Sequence, residues 1–367
     1  MVAFDRVGGT YRRVGSFATE GQGSNGFEDT ANGLVLGSAR GESAPNNLLD
    51  DRSLLFATNS GSNSISVFRV RRHRLELVEV EPSGGEKPVS VTVNQGILYV
   101  LNSGEVQDGL PTPPNCTTGH RPSITGFRVS EDGQLTRISG SRRLLSGDPF
   151  SGCAQVSFTP SGDHLIATER LAITPGETPN DEGRINTFAV RDDGTLGQQR
   201  IVDATGQGPF GFGFTKSGTL LVAEQYDGPD GPGRGGASAY RVRSDGTLER
   251  TSGSIRNGGT DTCWFVVTDN GRYGFTASFF RSGRISSYRI GEDGSLRLLQ
   301  ATAAERRVLQ GASDLALGRY SRRLYSLNSL TGTIQVYRVN RGDLTFLREL
   351  QAHEPSETEA RIGLAAS

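Results

Sequence analysis

One pattern recurs along this chain and restricts its fold more than any other feature. A β-rich run ends aromatic-x-Val or aromatic-x-Ile, a turn follows, and a leucine comes next. It reads Ile65-Ser-Val-Phe68-Arg-Val then Leu75, and Ile124-Thr-Gly-Phe127-Arg-Val then Asp132-Gly-Gln-Leu135. Ile185-Asn-Thr-Phe188, Ala237-Ser-Ala-Tyr240 and Ile285-Ser-Ser-Tyr288 follow, with Asp193-Gly, Asp245-Gly and Asp293-Gly turns, and then Ile334-Gln-Val-Tyr337. Val2-Ala-Phe4 with Gly9-Thr-Tyr11 supplies a seventh copy, and successive aromatics lie 64, 59, 61, 52, 48 and 49 residues apart. Asp-Gly between alternating apolar runs is a strong hairpin signal, because both turn positions tolerate positive φ.

Two further strands precede each hairpin. The second ends in a polar residue, as in Leu54–Asn59, Ile97–Asn102, His164–Glu169, Thr219–Glu224, Tyr273–Ser278 and Arg323–Asn328. Before each lies a strand of small residues, such as Ser90-Val-Thr-Val or Gly211-Phe-Gly-Phe. Four strands per unit at a period near fifty residues predict an all-β propeller of four-stranded antiparallel blades. Seven hairpins predict seven blades in one domain spanning residues 1–367. Ring closure would join residues 1–20 and 360–367 in one blade, which lacks one strand as written. Any export signal would likewise lie outside the sequence.

Glycine, 50 of 367 residues, is in excess, and the repeat supplies the reason: hairpin turns and a crowded axis both favour a missing side chain. The net charge of −1 argues against nucleic acid as a partner, and no apolar run is long enough for membrane insertion. A small-molecule ligand is the expected partner, with a protein partner as the alternative. No metal-ligand spacing is present, and no cofactor is expected beyond the open option of a divalent cation such as calcium.

The topology puts the end of each second strand and the start of each inner strand on one face. That face should receive Asn59, Asn102, Glu169, Glu224, Ser278 and Asn328, together with Ser90, Gln155, Thr262 and Asp314. Long loops, 103–123, 170–184 and 225–236, leave it from three neighbouring blades, and long loops on rigid scaffolds commonly carry function. Glu169 and Glu224 are candidate acid/base groups if burial raises their pKa values. The competing reading is a carboxylate hydrogen-bonded to backbone amides between blades. Gln155, Asn102, Asn328, Asn59, Asp314 and Arg170 are candidate substrate-binding groups. Cys116 and Cys153 lie on neighbouring blades of the same face and can pair as a disulfide, which would imply an oxidising compartment, secreted or periplasmic, with a cytoplasmic one as the alternative. Cys263 is read as a buried inert thiol. His120 lies in one of the long loops.

The run Pro-Ser-Gly or Asp-Asn-Gly, an apolar strand ending Asn or Glu, Ile-x-x-Phe/Tyr-x-Val and Asp-Gly-x-Leu resembles the lactonase-type seven-bladed propellers. That family includes 6-phosphogluconolactonases and muconate-lactonizing enzymes, and the resemblance implies lactone chemistry at the channel mouth. Of the catalytic set it implies, Glu224 matches. Where the lactonizing members carry a histidine this chain has Gly152-Cys-Ala154, and where they carry Gly-Pro-Arg-His it has Gly208-Pro-Phe-Gly211. Phe279 stands where they carry an arginine. Phosphorylated or carboxylated lactones are therefore poor candidate substrates. The first functional expectation is a lactone hydrolase or lactonizing isomerase using Glu224 and Glu169. The alternative is a non-catalytic propeller used as a binding platform.

Overall fold

The computed structural model describes the chain except for residues 25–29, 40–53, 105–121, 147–150, 172–182, 227, 282, 305–310 and 357–361. Six antiparallel sheets follow one another, each with its strands in chain order from the axis outward. Their inner strands are Leu34–Gly37, Pro88–Asn94, Ser151–Phe158, Pro209–Phe214, Thr260–Val267 and Ala312–Leu317. Five sheets have four strands; the second has a divided outer edge, in which Leu135–Arg137 and Arg143–Leu144 both pair with Ser123–Val129. No helix among the described residues is long and apolar enough to cross a membrane.

The repeating motif has a structural meaning at each of its positions. Its aromatic ring is buried in every blade: Phe68, Phe127, Phe188, Tyr240, Tyr288 and Tyr337 are at most 2% exposed. In the first, third, fourth, fifth and sixth blades the register between the third and fourth strands shifts beside that ring. Such bulges increase the local twist, which a propeller blade needs between its axial and outer edges. The arginine after the ring clamps the next blade: Arg69 donates to the Asp132 carbonyl at 2.8 Å, Arg128 to Asp193 at 2.7 Å and Arg241 to Asp293 at 3.2 Å. The third blade has Ala189 there, and Arg200 of its outer strand reaches the Asp245 carbonyl instead, at 2.9 Å. The turn glycine allows the close approach: at Gly194, with φ +81°, a Cβ would meet the Ile97 side chain at 2.8 Å.

Around the axis, inner strands are stitched in two ways. Between the second, third and fourth blades, side chains satisfy the free backbone edge of the next strand. Ser90 accepts from Val156 N at 3.1 Å, and Gln155 both donates to the Phe212 carbonyl (2.9 Å) and accepts from Phe212 N (2.8 Å). Between the fourth and fifth blades the strands touch directly. A Cβ at Gly211 would lie 2.6 Å from the Cys263 carbonyl oxygen, so only glycine fits there. The apolar cores lie between faces of neighbouring sheets, as propeller packing requires.

The expectation of seven four-stranded blades is met for six among the described residues. Val2–Val7 and Thr10–Ser16 form a separate two-stranded hairpin. That hairpin touches the last blade through Tyr11 and Tyr325, whose hydroxyls are 3.0 Å apart, and the first through an Asp5–His73 contact. The tail reaches the axis, where Leu364 N donates to Asp314 Oδ2 at 2.9 Å. A hairpin signal identifies two strands of a blade, and among the described residues no further strand pairs with this hairpin.

Candidate functional site

Second-strand ends do gather toward one face, but their side chains do not open onto it. Glu169 is fully buried. Its carboxylate accepts from Ser146 N (3.0 Å), Ser146 Oγ (2.7 Å) and Asn186 Nδ2 (2.7 Å). Ser146 belongs to the crossover entering the third blade, so the carboxylate fastens that crossover to the sheet. Glu224 is also fully buried, accepts the Ser254 hydroxyl, and lies under Gly206, where a Cβ would fall 2.2 Å from the carboxylate. Its negative charge, after burial itself, helps hold the Tyr226 phenol above its ordinary pKa.

The asparagines in equivalent positions are arranged alike. Asn59 donates to Ser64 and Ser66, at 3.2 and 2.8 Å, and packs on Gly21. Asn102 donates to the Ser83 carbonyl and Asn328 to Thr333, both at 3.4 Å. Their Oδ1 atoms are buried without a partner. Ser278 meets Thr262, hydroxyl to hydroxyl, at 2.8 Å. Asn59, Asn328 and Ser278 thus tie neighbouring strands of their own blades, while Asn102 reaches the preceding crossover.

A strand alternates its side chains, so the residue after each fastener points the other way. Arg170 is buried with its guanidinium against Gly152, and Gln225 is buried against Gly208 with its Oε1 3.9 Å from Cys263 Sγ. Cys263 Sγ also lies 3.1 Å from Asp261 Oδ1. A carboxylate so close disfavours a thiolate, consistent with an inert thiol. Sequence reasoning singled out Arg170 but passed over Gln225, which period-two alternation would have identified.

At the axis this end is closed. Thr30 to Asn32 cross it: Ala31 N donates to the Ala154 carbonyl at 3.2 Å, Val91 N to Asn32 at 2.9 Å, and Trp264 Nε1 to the Thr30 carbonyl at 3.0 Å. Phe210 packs edge-on against Trp264, ring centroids 5.7 Å apart. Phe210 and Phe279 are both buried in the same apolar cluster. They replace the ionic groups implied at those positions, and an aromatic plug is the result.

The open cavity lies at the opposite end. It measures about 460 Å³ and is lined by the C-terminal ends of the inner strands and the turns after them, including Asn94, Thr159, Phe214, Val267 and Leu317. Gln155 reaches it from mid-strand, whereas Glu169, Glu224, Arg170, Asn59, Asn102, Asn328 and Asp314 do not line it. The expected site residues thus lie at one end of the axis and this cavity at the other. Which end is open depends on where residues 30–32 cross the axis, and no local pattern reveals that.

Asp314 binds the tail. Its carboxylate accepts from Leu315 N (2.8 Å) and Leu364 N (2.9 Å), and burial pushes its pKa up to about 7. Cys153 is buried, while Cys116 and His120 lie outside the described residues, as do most residues of the first two long loops. Among the described residues no three His, Cys, Asp or Glu side chains gather as a metal site would require.

Residues 120–230 match the family described as lactonase, 7-bladed beta-propeller. No curated protein sequence matches the chain. Many solved structures share the fold, among them these two. One is a candidate 6-phosphogluconolactonase from Bacteroides fragilis, 15% identical, covering 95% of this chain and 89% of its own, with a TM-score of 0.64. The other is a candidate 6-phosphogluconolactonase from Bacteroides uniformis, 17% identical, covering 95% and 90%, with a TM-score of 0.65.

Proposed function

We propose, from the match of residues 120–230 to the lactonase propellers, that this protein opens or isomerises a lactone or related cyclic ester. That match is the observation carrying the reading. It spans the outer strands of the second blade, the third blade and the inner two strands of the fourth, which hold Glu169, Glu224 and the start of two of the three long loops. Opening a lactone requires a base to take a proton from water and a donor to steady the carbonyl oxygen. In this reading Glu224 moves the proton. It is covered at Gly206, where no side chain intervenes, and Ser254 orients it. Arg170 and Gln225, at the same end of the axis but on the opposite sides of their strands from the two carboxylates, are the candidate donors. Glu169, with both oxygens engaged by Ser146, positions the neighbouring crossover.

The aromatic plug at Phe210, Trp264 and Phe279 favours a neutral, unphosphorylated substrate, because the charges that would hold an anion are replaced by rings. A panel of unphosphorylated sugar and aliphatic lactones, assayed by acid release, tests the reading. Wild type is expected to turn over at least one, and Glu224→Gln to lower kcat by about a hundredfold or more. Equal turnover by both removes Glu224 from the mechanism, and no turnover by wild type rejects the enzyme.

We further assign the hairpin 2–16 and the tail 362–366 to a seventh blade position. The Tyr11–Tyr325, Asp5–His73 and Leu364–Asp314 contacts support that placement, since they fall on the first and sixth blades. An exported location goes with a Cys116–Cys153 bond. Thiol labelling of the unfolded chain before and after reduction reads it directly: one reactive thiol rising to three supports the bond, and three throughout rules it out.

A further inference from the structure

The open end of the axis is uneven in chemistry. The second and third blades present Asn94, Ser157 and Thr159 beside Phe158, while Leu36, Phe214 and Val267 of the first, fourth and fifth blades form an apolar wall interrupted by Thr215 and Thr268. These three apolar residues are only half-buried, so the cavity holds hydrocarbon surface in contact with solvent. Asn94 is 4% exposed, yet its amide Oδ1 is buried with no hydrogen-bond partner among the described residues. Thr159, by contrast, is engaged with its own turn, receiving His164 N at 3.2 Å. Charge in the lining is limited to Lys216 and Asp269, of opposite sign.

We propose that this cavity is a second binding site, separate from the lactone-directed face, for a small neutral molecule bearing a hydroxyl and a hydrocarbon face. A buried amide lacking a partner is a vacant hydrogen-bonding position, and buried polar groups are ordinarily satisfied. A hydroxyl donates and accepts, so it serves Asn94 in either amide orientation. The apolar wall takes the hydrocarbon face. The balanced lining gives no counter-charge for an ion, whose desolvation would be uncompensated. A volume of about 460 Å³ is in the range of small-ligand sites.

The test uses three probes of one shape: 4-phenylbutan-1-ol, butylbenzene and 4-phenylbutyrate, with binding followed by saturation-transfer NMR and titration. The alcohol is expected to bind wild type more tightly than either partner. Asn94→Leu should weaken the alcohol roughly three- to tenfold and leave butylbenzene unchanged. Val267→Asp should weaken both neutral probes, and Glu224→Gln should change neither, which separates this site from the lactone reading. Absence of alcohol binding at millimolar concentration overturns the proposal, as does a carboxylate that binds best. An unchanged alcohol-to-hydrocarbon ratio in Asn94→Leu also overturns it. If that variant fails to fold, the wild-type ratio decides: the alcohol must exceed the hydrocarbon.

Discussion

The two ends of the axis are built from the same six strands and treat polarity in opposite ways. At the closed end Glu169 and Asn102 grip the crossovers, residues 30–32 span the middle, and the amide Oδ1 atoms of Asn102 and Asn328 are left buried without a partner among the described residues. At the open end the strands finish in turns that satisfy themselves, leaving Asn94 and an apolar wall facing a cavity. The difference teaches that a propeller's symmetry is one of backbone only. What distinguishes its faces is which segment crosses the axis and which side chains that crossing leaves over.

Four substitutions run from the closed end to the open rim, and their effects should fall in that order. Glu169→Ala strands Ser146 and Asn186 together, and should cost roughly 3–5 kcal/mol in urea unfolding. A loss below about 1 kcal/mol would mean the carboxylate fastens nothing. Next is Asp314, whose folded pKa of about 7 stands above the ordinary 3.8. The folded state then holds a proton that the unfolded state has released. The resulting stability is fully present below about pH 3.8 and is lost as pH rises through 7. Across that window it amounts to on the order of 4 kcal/mol. Wild type should therefore lose stability between pH 4 and 8 relative to Asp314→Asn, and parallel curves would refute the assignment.

Gln155 lies midway and makes two hydrogen bonds to Phe212, so Gln155→Ala should cost roughly 2 kcal/mol. At the rim, the exposed Lys216→Ala should change stability by less than about 0.5 kcal/mol. A reversal of these last two would erase the gradient between the ends.

The fold was largely legible because its repeat is written in residues with local jobs. The aromatic marks a bulge, the arginine after it marks a clamp, and Asp-Gly marks a turn, each within a few positions. The site was less legible for the same reason inverted. Glu169 and Glu224 were found as strand ends, but their partners, Ser146 and Ser254, lie 23 and 30 residues away. Nothing near Thr30 announces that it will receive the indole of Trp264. The closing blade, read from a hairpin and the tail with one strand lacking, stands among the described residues as a two-stranded hairpin.

That indole bond has a consequence for how the chain reaches its native state. Each blade is assembled from neighbouring hairpins, so its pairings can form early with little loop closure. Trp264 and Thr30 are 234 residues apart, and Tyr11 and Tyr325 are 314 apart. Those contacts cannot form until the intervening blades have arranged themselves in a circle. The crossing at residues 30–32 thus carries a loop-closure cost that no contact within a single blade does.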